Sequence, residues 1–253
     1  DQFCQHHAGF QFFHFAFHKK TSFISRRLSF GSFCQHCYIR VHIKMKQETI
    51  LRSCYSSSSF IECGCDEAGR GALAGPLFAA AVILPPDYHH PQINDSKKLS
   101  RKLRENLRFE IERDALAYAV FQVSEKSIDE MNILNATFFA MNQAVLKLQV
   151  TPELLLIDGN RFRNETGIPY HCIIGGDSKY LSIAAASILA KTYRDETMWQ
   201  LSQEFPMYDW ENNMGYSTKK HQKSILTYGR CKYHRKSFHL KNPQRCPVAS
   251  QCL

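Results

Sequence analysis

Asp66-Glu67-Ala68-Gly69-Arg70-Gly71 is the stretch on which the reading of this 253-residue chain turns. Its two adjacent carboxylates follow a run, 60–65, with the composition of a β-strand, and two glycines bracketing an arginine come next. Successive strand residues point to opposite faces, so Asp66 and Glu67 can share a cleft only where the strand is ending. Paired carboxylates at a strand end are costly unless positive charge lies between them. A hard divalent cation with oxygen ligands is the usual solution. Gly69 and Gly71 let the backbone approach a ligand closely, as in phosphate- and sugar-binding turns. The stretch predicts a metal-and-backbone site suited to a nucleic acid.

Outward from it, the order of elements is α/β. A strand over 61–66 meets the glycine turn, and the apolar run 76–84 is its expected hairpin partner, closed by Pro85-Pro86. Ser100 is a candidate N-cap for a helix over 101–114. A third strand is expected over 116–123 and a helix over 132–148, where Ile133, Phe138, Met141 and Val145 keep helical spacing. Leu154-Leu155-Leu156-Ile157 has the uninterrupted apolar character of a buried central strand, ending at Asp158. A fifth strand over 170–174 follows. A long helix over 182–205 has a small face, Ala184-Ala185-Ala186-Ser187, that permits close packing on the sheet; the last helix spans 218–228. A hairpin meander followed by alternating strands and helices predicts a mixed five-stranded sheet flanked by helices.

The charge of +9 points to a polyanionic partner, and its distribution says where. Residues 1–49 hold seven Lys/Arg against two acids, whereas 212–253 holds nine Lys/Arg and no acid. A basic C-terminal segment on a nearly neutral core suits contact with a phosphate backbone, although a solvated basic tail has the same composition. The first 44 residues contain nine of the eighteen Phe and no acid after Asp1. Normal composition resumes at Met45, so 1–59 is expected to lie largely outside the fold, as upstream sequence or a leader. The catalytic core is expected over 60–210, a basic helical extension over 211–238, and a disordered tail over 239–253. Among the ten cysteines only Cys34 and Cys37 have metal-ligand spacing, with no matching second pair, so a reduced, cytoplasmic setting is expected. No stretch approaches the roughly 20 apolar residues of a membrane span. No oligomerisation motif stands out, and a monomer is expected.

Asp66, Glu67, Asp158 and Asp177 all fall at expected strand ends or just beyond them, where open sheets gather their sites. Alone, Asp158 also suits an Asx-turn and Asp177 an N-cap. Gathered within a few ångström, four such acids could not all ionise without metal, and two divalent ions about 3.5–4 Å apart are the known arrangement for phosphodiester hydrolysis. Asp195, in Tyr193-Arg194-Asp195-Glu196, is a rival for the fourth position, but a helix-surface pair with Arg194 or Lys191 accounts for it.

Seven motifs then occur in the order seen in ribonuclease HII: Asp66 to Gly71, Asp95-Ser96-Lys97-Lys98-Leu99, Asp158-Gly159-Asn160, Gly176-Asp177-Ser178-Lys179-Tyr180, Ala185 to Lys191, Gly215-Tyr216-Ser217-Thr218, and His234 to Phe238. Residues from about 60 to 238 resemble that family. The resemblance implies a ribonuclease H-like fold with a helical C-terminal extension. It also implies cleavage, dependent on Mg²⁺ or Mn²⁺, of the RNA strand of RNA–DNA hybrids and of single ribonucleotides embedded in duplex DNA, leaving a 3′-hydroxyl and a 5′-phosphate. On the matching positions it implies that Asp66, Glu67, Asp158 and Asp177 bind metal. Gly69, Arg70 and Gly71 would sense the 2′-hydroxyl, Tyr216 would pack on the sugar at the RNA-to-DNA junction, and Lys97 and Lys98 would contact phosphates. Three positions depart from the pattern: Gly175 stands where the family usually has Lys, Ala72 follows the glycine turn, and Ser217 replaces a Gly. The sister ribonuclease HIII family typically has Thr at the place of Arg70 and a separate N-terminal substrate-binding domain, for which 1–59 is too short. A non-catalytic hybrid-binding protein, its metal site weakened at Gly175, is the alternative of another class.

Overall fold

The computed structural model describes residues 51–56 and 60–240. The expectations for residues 1–44, for Met45, for Cys34 and Cys37, and for the tail from 241 onward lie outside the described residues.

β1 (Glu62–Ala68) is the middle strand of a five-stranded sheet of order β3-β2-β1-β4-β5. It pairs antiparallel with β2 (Leu77–Ile83), which pairs antiparallel with β3 (Ala117–Val123). On its other edge it pairs parallel with β4 (Leu154–Asp158), which pairs parallel with β5 (Tyr170–Ile173). The short link after β1 can only return the chain antiparallel, whereas β4 is reached through helices and can run parallel.

β1 does not end at Asp66, as its composition suggested. It runs on to Ala68 because β2 stays paired with it through Asp66↔Ala80, Glu67↔Ala79 and Ala68↔Phe78. The alanines opposite the two acids are small enough to leave both carboxylates room. Alternation along β1 divides the core. Cys63 and Cys65 pack with Ala79, Ala81, Leu155 and Ile157 beneath α2 (Glu125–Met131) and α3 (Ile133–Leu146). Ala68, Ala80 and Val82 pack on the other face beneath α1 (Arg101–Asp114) and α4 (Leu181–Glu204).

α1 begins where its cap predicts, with the Ser100 hydroxyl accepting from Leu103 N. α2 was not foreseen. Ser124 caps it, and Asn132, at φ 66°, ends it and caps α3 in the same step by accepting from Asn135 N. The small face of α4 does what its composition implies. Ala184, Ala185 and Ala186 are fully buried, and a Cβ on Gly64 of β1 would lie 2.2 Å from the carbonyl carbon of Ser182. Helix and strand are thus in backbone contact. After α4 the chain makes α5 (Trp210–Asn213) and α6 (Lys219–Tyr228). No helix among the described residues is long and apolar enough to cross a membrane.

Candidate active site

The ladder between β1 and β4 stops at Cys65↔Ile157. One position further along each strand stand Asp66 and Asp158, so the two acids flank the notch where parallel strands part at their carboxyl ends. Asp66 is 4% exposed and accepts from Glu67 N at 2.7 Å. Burial first, then Glu67 and Asp158, push its pKa well above the usual carboxylate range, against a hydrogen bond from Ser187. Glu67 and Asp158 are likewise raised, in both cases chiefly by burial. Arg70, 3.6 Å from Glu67 Oε1, works in the opposite direction on Glu67.

Asp177 reaches the notch on a 3-10 turn, Gly176–Ser178, entered through Gly175 at φ 63°. Gly176 N donates to Asp158 Oδ1 at 2.7 Å, docking that turn on the end of β4. Lys97 arrives on another 3-10 turn, Ser96–Lys98, capped by Asp95, and sets its ammonium 3.4 Å from Asp177 Oδ2. Burial opposes the charge on Lys97, but Asp177, Asp66 and Asp95 outweigh it and raise its pKa. One lysine therefore offsets part of the acidic charge from within the chain. Among the described residues no three His, Cys, Asp or Glu side chains are already drawn together into a preformed ion cage. The donor set nonetheless fits a hard cation. Its groups are all carboxylate oxygens, crowded so that Glu67 and Asp158 raise the pKa of Asp66, Asp158 that of Glu67 and Asp177 that of Asp158, and a divalent ion would relieve that repulsion.

Beyond Ala68 the chain turns through Gly69 at φ 92°, closed by Ala72 N donating to Gly69 O at 3.2 Å. Gly71 is exposed, and a Cβ there would meet nothing within 4 Å, so its backbone faces open space beside the acids. Tyr216 stands half-buried on a loop held to this turn. Leu73 N and Ala74 N both donate to Gly215 O, and the guanidinium of Arg194 lies 5.1 Å from the Tyr216 ring centroid.

The structure thus draws Asp66, Glu67, Asp158, Asp177, Arg70 and Lys97 into one electrostatic group. Lys98 is turned away, its ammonium 3.8 Å from Asp95. Asp195 is a correction. It pairs with Lys191 as expected, but it is buried at the α1–α4 seam, where Arg104 also reaches it at 3.5 Å, and Arg194 points elsewhere. The sequence reading missed a buried cluster behind Tyr216. Trp210 Nε1 donates to His221 Nε2 at 3.0 Å, so His221 donates through Nδ1 to Tyr216 O at 2.9 Å. Cys231 N donates to His234 Nδ1, which leaves His234 Nε2–H facing His221 Nε2 at 3.2 Å. Both rings are therefore neutral. Burial, His221 and Arg230 hold the pKa of His234 down to about 4, and burial lowers that of His221. Two histidines thirteen residues apart in a basic segment carried no signal of this pairing.

Comparison with known proteins gives the family. Residues 63–241 match the family model described as Ribonuclease HII. A Bacteroides fragilis protein named Ribonuclease HII is 59% identical over 184 residues, covering 73% of this chain and 92% of that one. Among solved structures, the ribonuclease H2 of Pyrococcus horikoshii superposes with a TM-score of 0.60 at 24% identity, over 71% of this chain and 94% of that one. Bst-RNase HIII, solved in complex with Mn²⁺, superposes with a TM-score of 0.55 at 23% identity, over 68% and 64%. These two share the ribonuclease H-like fold of a mixed five-stranded sheet flanked by helices. The family match spans the acids, the glycine turn and the Tyr216 loop, and with the identity to relatives it places the chain in the ribonuclease HII family, as a metal-dependent endoribonuclease of the ribonuclease H type that degrades RNA in RNA–DNA hybrids.

Proposed function

We propose that the enzyme also cuts at single ribonucleotides embedded in duplex DNA, and that Asp66, Glu67, Asp158 and Asp177 carry the metal for both substrates. The observation behind this is the position of the glycine turn. The exposed end of the turn, Arg70–Gly71, closely follows the strand that bears Asp66 and Glu67, and nothing stands over Gly71, so one ribose can be sensed where the adjacent phosphodiester is cut. The 2′-hydroxyl is the group that separates RNA from DNA there, and backbone N–H and C=O groups suit it as donor and acceptor. Two divalent ions, Mg²⁺ or Mn²⁺, would let the four carboxylates ionise together, activate the attacking water and stabilise the leaving oxygen, giving a 3′-hydroxyl and a 5′-phosphate. Arg70, half-exposed beside Glu67, belongs with Gly69 and Gly71 to the turn that senses the 2′-hydroxyl, Lys97 and Lys98 contact phosphates, and Tyr216 packs on the sugar that follows the ribonucleotide. The same reading takes the enzyme as a cytoplasmic monomer acting in ribonucleotide removal; the five described cysteines, all free, are compatible with a reducing compartment.

The test is cleavage of a labelled duplex holding one ribonucleotide, with Mg²⁺ or Mn²⁺ and with chelator, beside an all-DNA duplex and an Asp66→Asn protein. Metal-dependent cutting on the 5′ side of the ribonucleotide, lost in the variant, is expected. Cutting of hybrid alone, with the embedded ribonucleotide left intact, would confine the enzyme to longer RNA tracts.

A further inference from the structure

Arg194 and Arg235 are among the largest fully buried side chains of the protein, each 0% exposed. Burying a guanidinium costs several kcal/mol unless its donors are satisfied. Here the satisfying groups are main-chain carbonyls. Arg194 donates to Pro76 O at 3.1 Å, Ala74 O at 3.3 Å and Met214 O at 2.9 Å. Arg235 donates to Gly75 O through both Nε and Nη2, at 3.0 and 2.9 Å, and to Arg70 O at 3.0 Å. Burial is the first cause lowering both pKa values, with that of Arg235 brought to about 9.

The acceptors share one property. They lie in the glycine turn, in the segment leading out of it, or in the loop leading to Tyr216. Arg194 touches both halves at once. A Cβ on Gly69 would sit 2.0 Å from its Nε and 2.5 Å from its Cδ, so its stem occupies the space under the turn, while its guanidinium faces the Tyr216 ring. Arg235 braces the turn at Arg70, and its own backbone N donates to Leu73 O, as Gly75 N donates to Tyr233 O. A planar fork with fixed donor directions can hold three carbonyls and stack on a ring; an ammonium cannot do both.

We propose that Arg194, with Arg235 bracing the turn, is a positioning residue that sets the spacing between the Gly69–Gly71 backbone and the Tyr216 ring, and thereby the preference for an embedded ribonucleotide over a uniform hybrid. The proposal rests on the roles given above to that turn and to Tyr216.

The deciding experiment compares kcat and KM of the full chain on a duplex with one ribonucleotide and on a uniform RNA–DNA hybrid, for wild type, Arg194→Lys, Tyr216→Ala and the double variant. Mn²⁺ binding to each protein is measured without substrate. Misplacing a contact by about an ångström can cost roughly a hundredfold. Arg194→Lys is therefore expected to lose about ten- to a hundredfold in kcat/KM on the embedded ribonucleotide and less than about threefold on the hybrid, with Mn²⁺ affinity unchanged. Tyr216→Ala should lose more on the embedded ribonucleotide than on the hybrid, and the double variant should be no worse than the more severe single one. Equal losses on both substrates, additive losses, or weakened Mn²⁺ binding would overturn the proposal and leave Arg194 a folding residue. If Arg194→Lys does not fold, Arg235→Lys, which alters the brace at Arg70, carries the same expectations and the same refutations. A wild type unable to cut the embedded ribonucleotide would overturn the functional reading together with this inference. A wild type that cuts it, with a variant that keeps the wild-type ratio, would overturn the inference alone.

Discussion

The acidic notch between β1 and β4 and the arginine-laced junction beside it bury charge in opposite ways. In the notch, like charges crowd together, and burial and neighbouring acids raise Asp66, Glu67 and Asp158. Lys97 offsets part of that charge. In the junction, two guanidiniums are surrounded by carbonyl oxygens of the chain itself. Folding completes the second region and leaves the first in need of a cation. The chemistry of the cut therefore depends on what solution supplies, whereas the groups assigned to ribonucleotide recognition are assembled by the fold.

The largest effect that would test this contrast is loss of a notch acid. Asp158→Asn is expected to lower hybrid cleavage by about a thousandfold or more, the several kcal/mol that metal assistance supplies. Its melting temperature in chelator should hold or rise, because one repelling charge is gone. A variant that melts several degrees lower in chelator with cleavage intact would contradict both halves.

Acid should separate the regions next. His234 has its pKa depressed from 6.5 to about 4 in the fold, so below pH 6.5 the unfolded chain takes up a proton that the native ring refuses. Stability from this source is intact above pH 6.5 and is lost as pH falls towards 4, by on the order of 3 kcal/mol. Asp66 acts with the opposite sign. Its raised pKa means that protonation favours the fold, so acidification relieves the notch. Metal-free Asp66→Asn, which lacks that relief, should lose melting temperature more steeply than wild type as the pH falls towards the ordinary carboxylate range. Parallel curves would show that the notch carries no such strain.

Gly64→Ala probes the platform beneath both regions. Its new methyl would meet the α4 backbone at Ser182, and overpacking there is expected to cost about 1–3 kcal/mol, visible as a fall of several degrees in melting temperature. An unchanged melt would mean that α4 can slide on β1. The smallest effects belong to the two lysines. Lys98→Ala should reduce the salt dependence of hybrid affinity by about one phosphate contact and leave Mn²⁺ binding alone. Lys97→Ala should change Mn²⁺ binding, because it removes the ammonium beside Asp177. Identical behaviour of the two would erase the distinction between them.

Much of the sheet was legible because its signals are local. The unbroken apolar run of β4 and the Ser100 cap of α1 each specify an element from a few adjacent residues. The end of β1 was not legible, since its last residues are held in the sheet by pairing with Ala79 and Phe78 of β2 rather than by their own propensity. α2 was missed because seven residues are too few to show a period. Within the candidate site, the sequence singled out the acids and the glycine turn but could not separate Lys97 from Lys98, which differ only in which way a 3-10 turn aims them. Arg194 was invisible for a sharper reason. Among Tyr193, Asp195 and Glu196 it resembles a solvated helix charge, yet two of its acceptors lie 118 and 120 residues away on bare backbone, which has no side-chain signature.

The bridge between Ala74 and His234 also sets an order in time. A chain emerging from the ribosome exposes all four acids before the segment from Tyr233 to Arg235 has been made. The four acids and the glycine turn therefore emerge before Tyr216 and before the arginine that braces the turn. A product that stops short of α6 would keep its four acids and lack Arg235, the brace on its glycine turn.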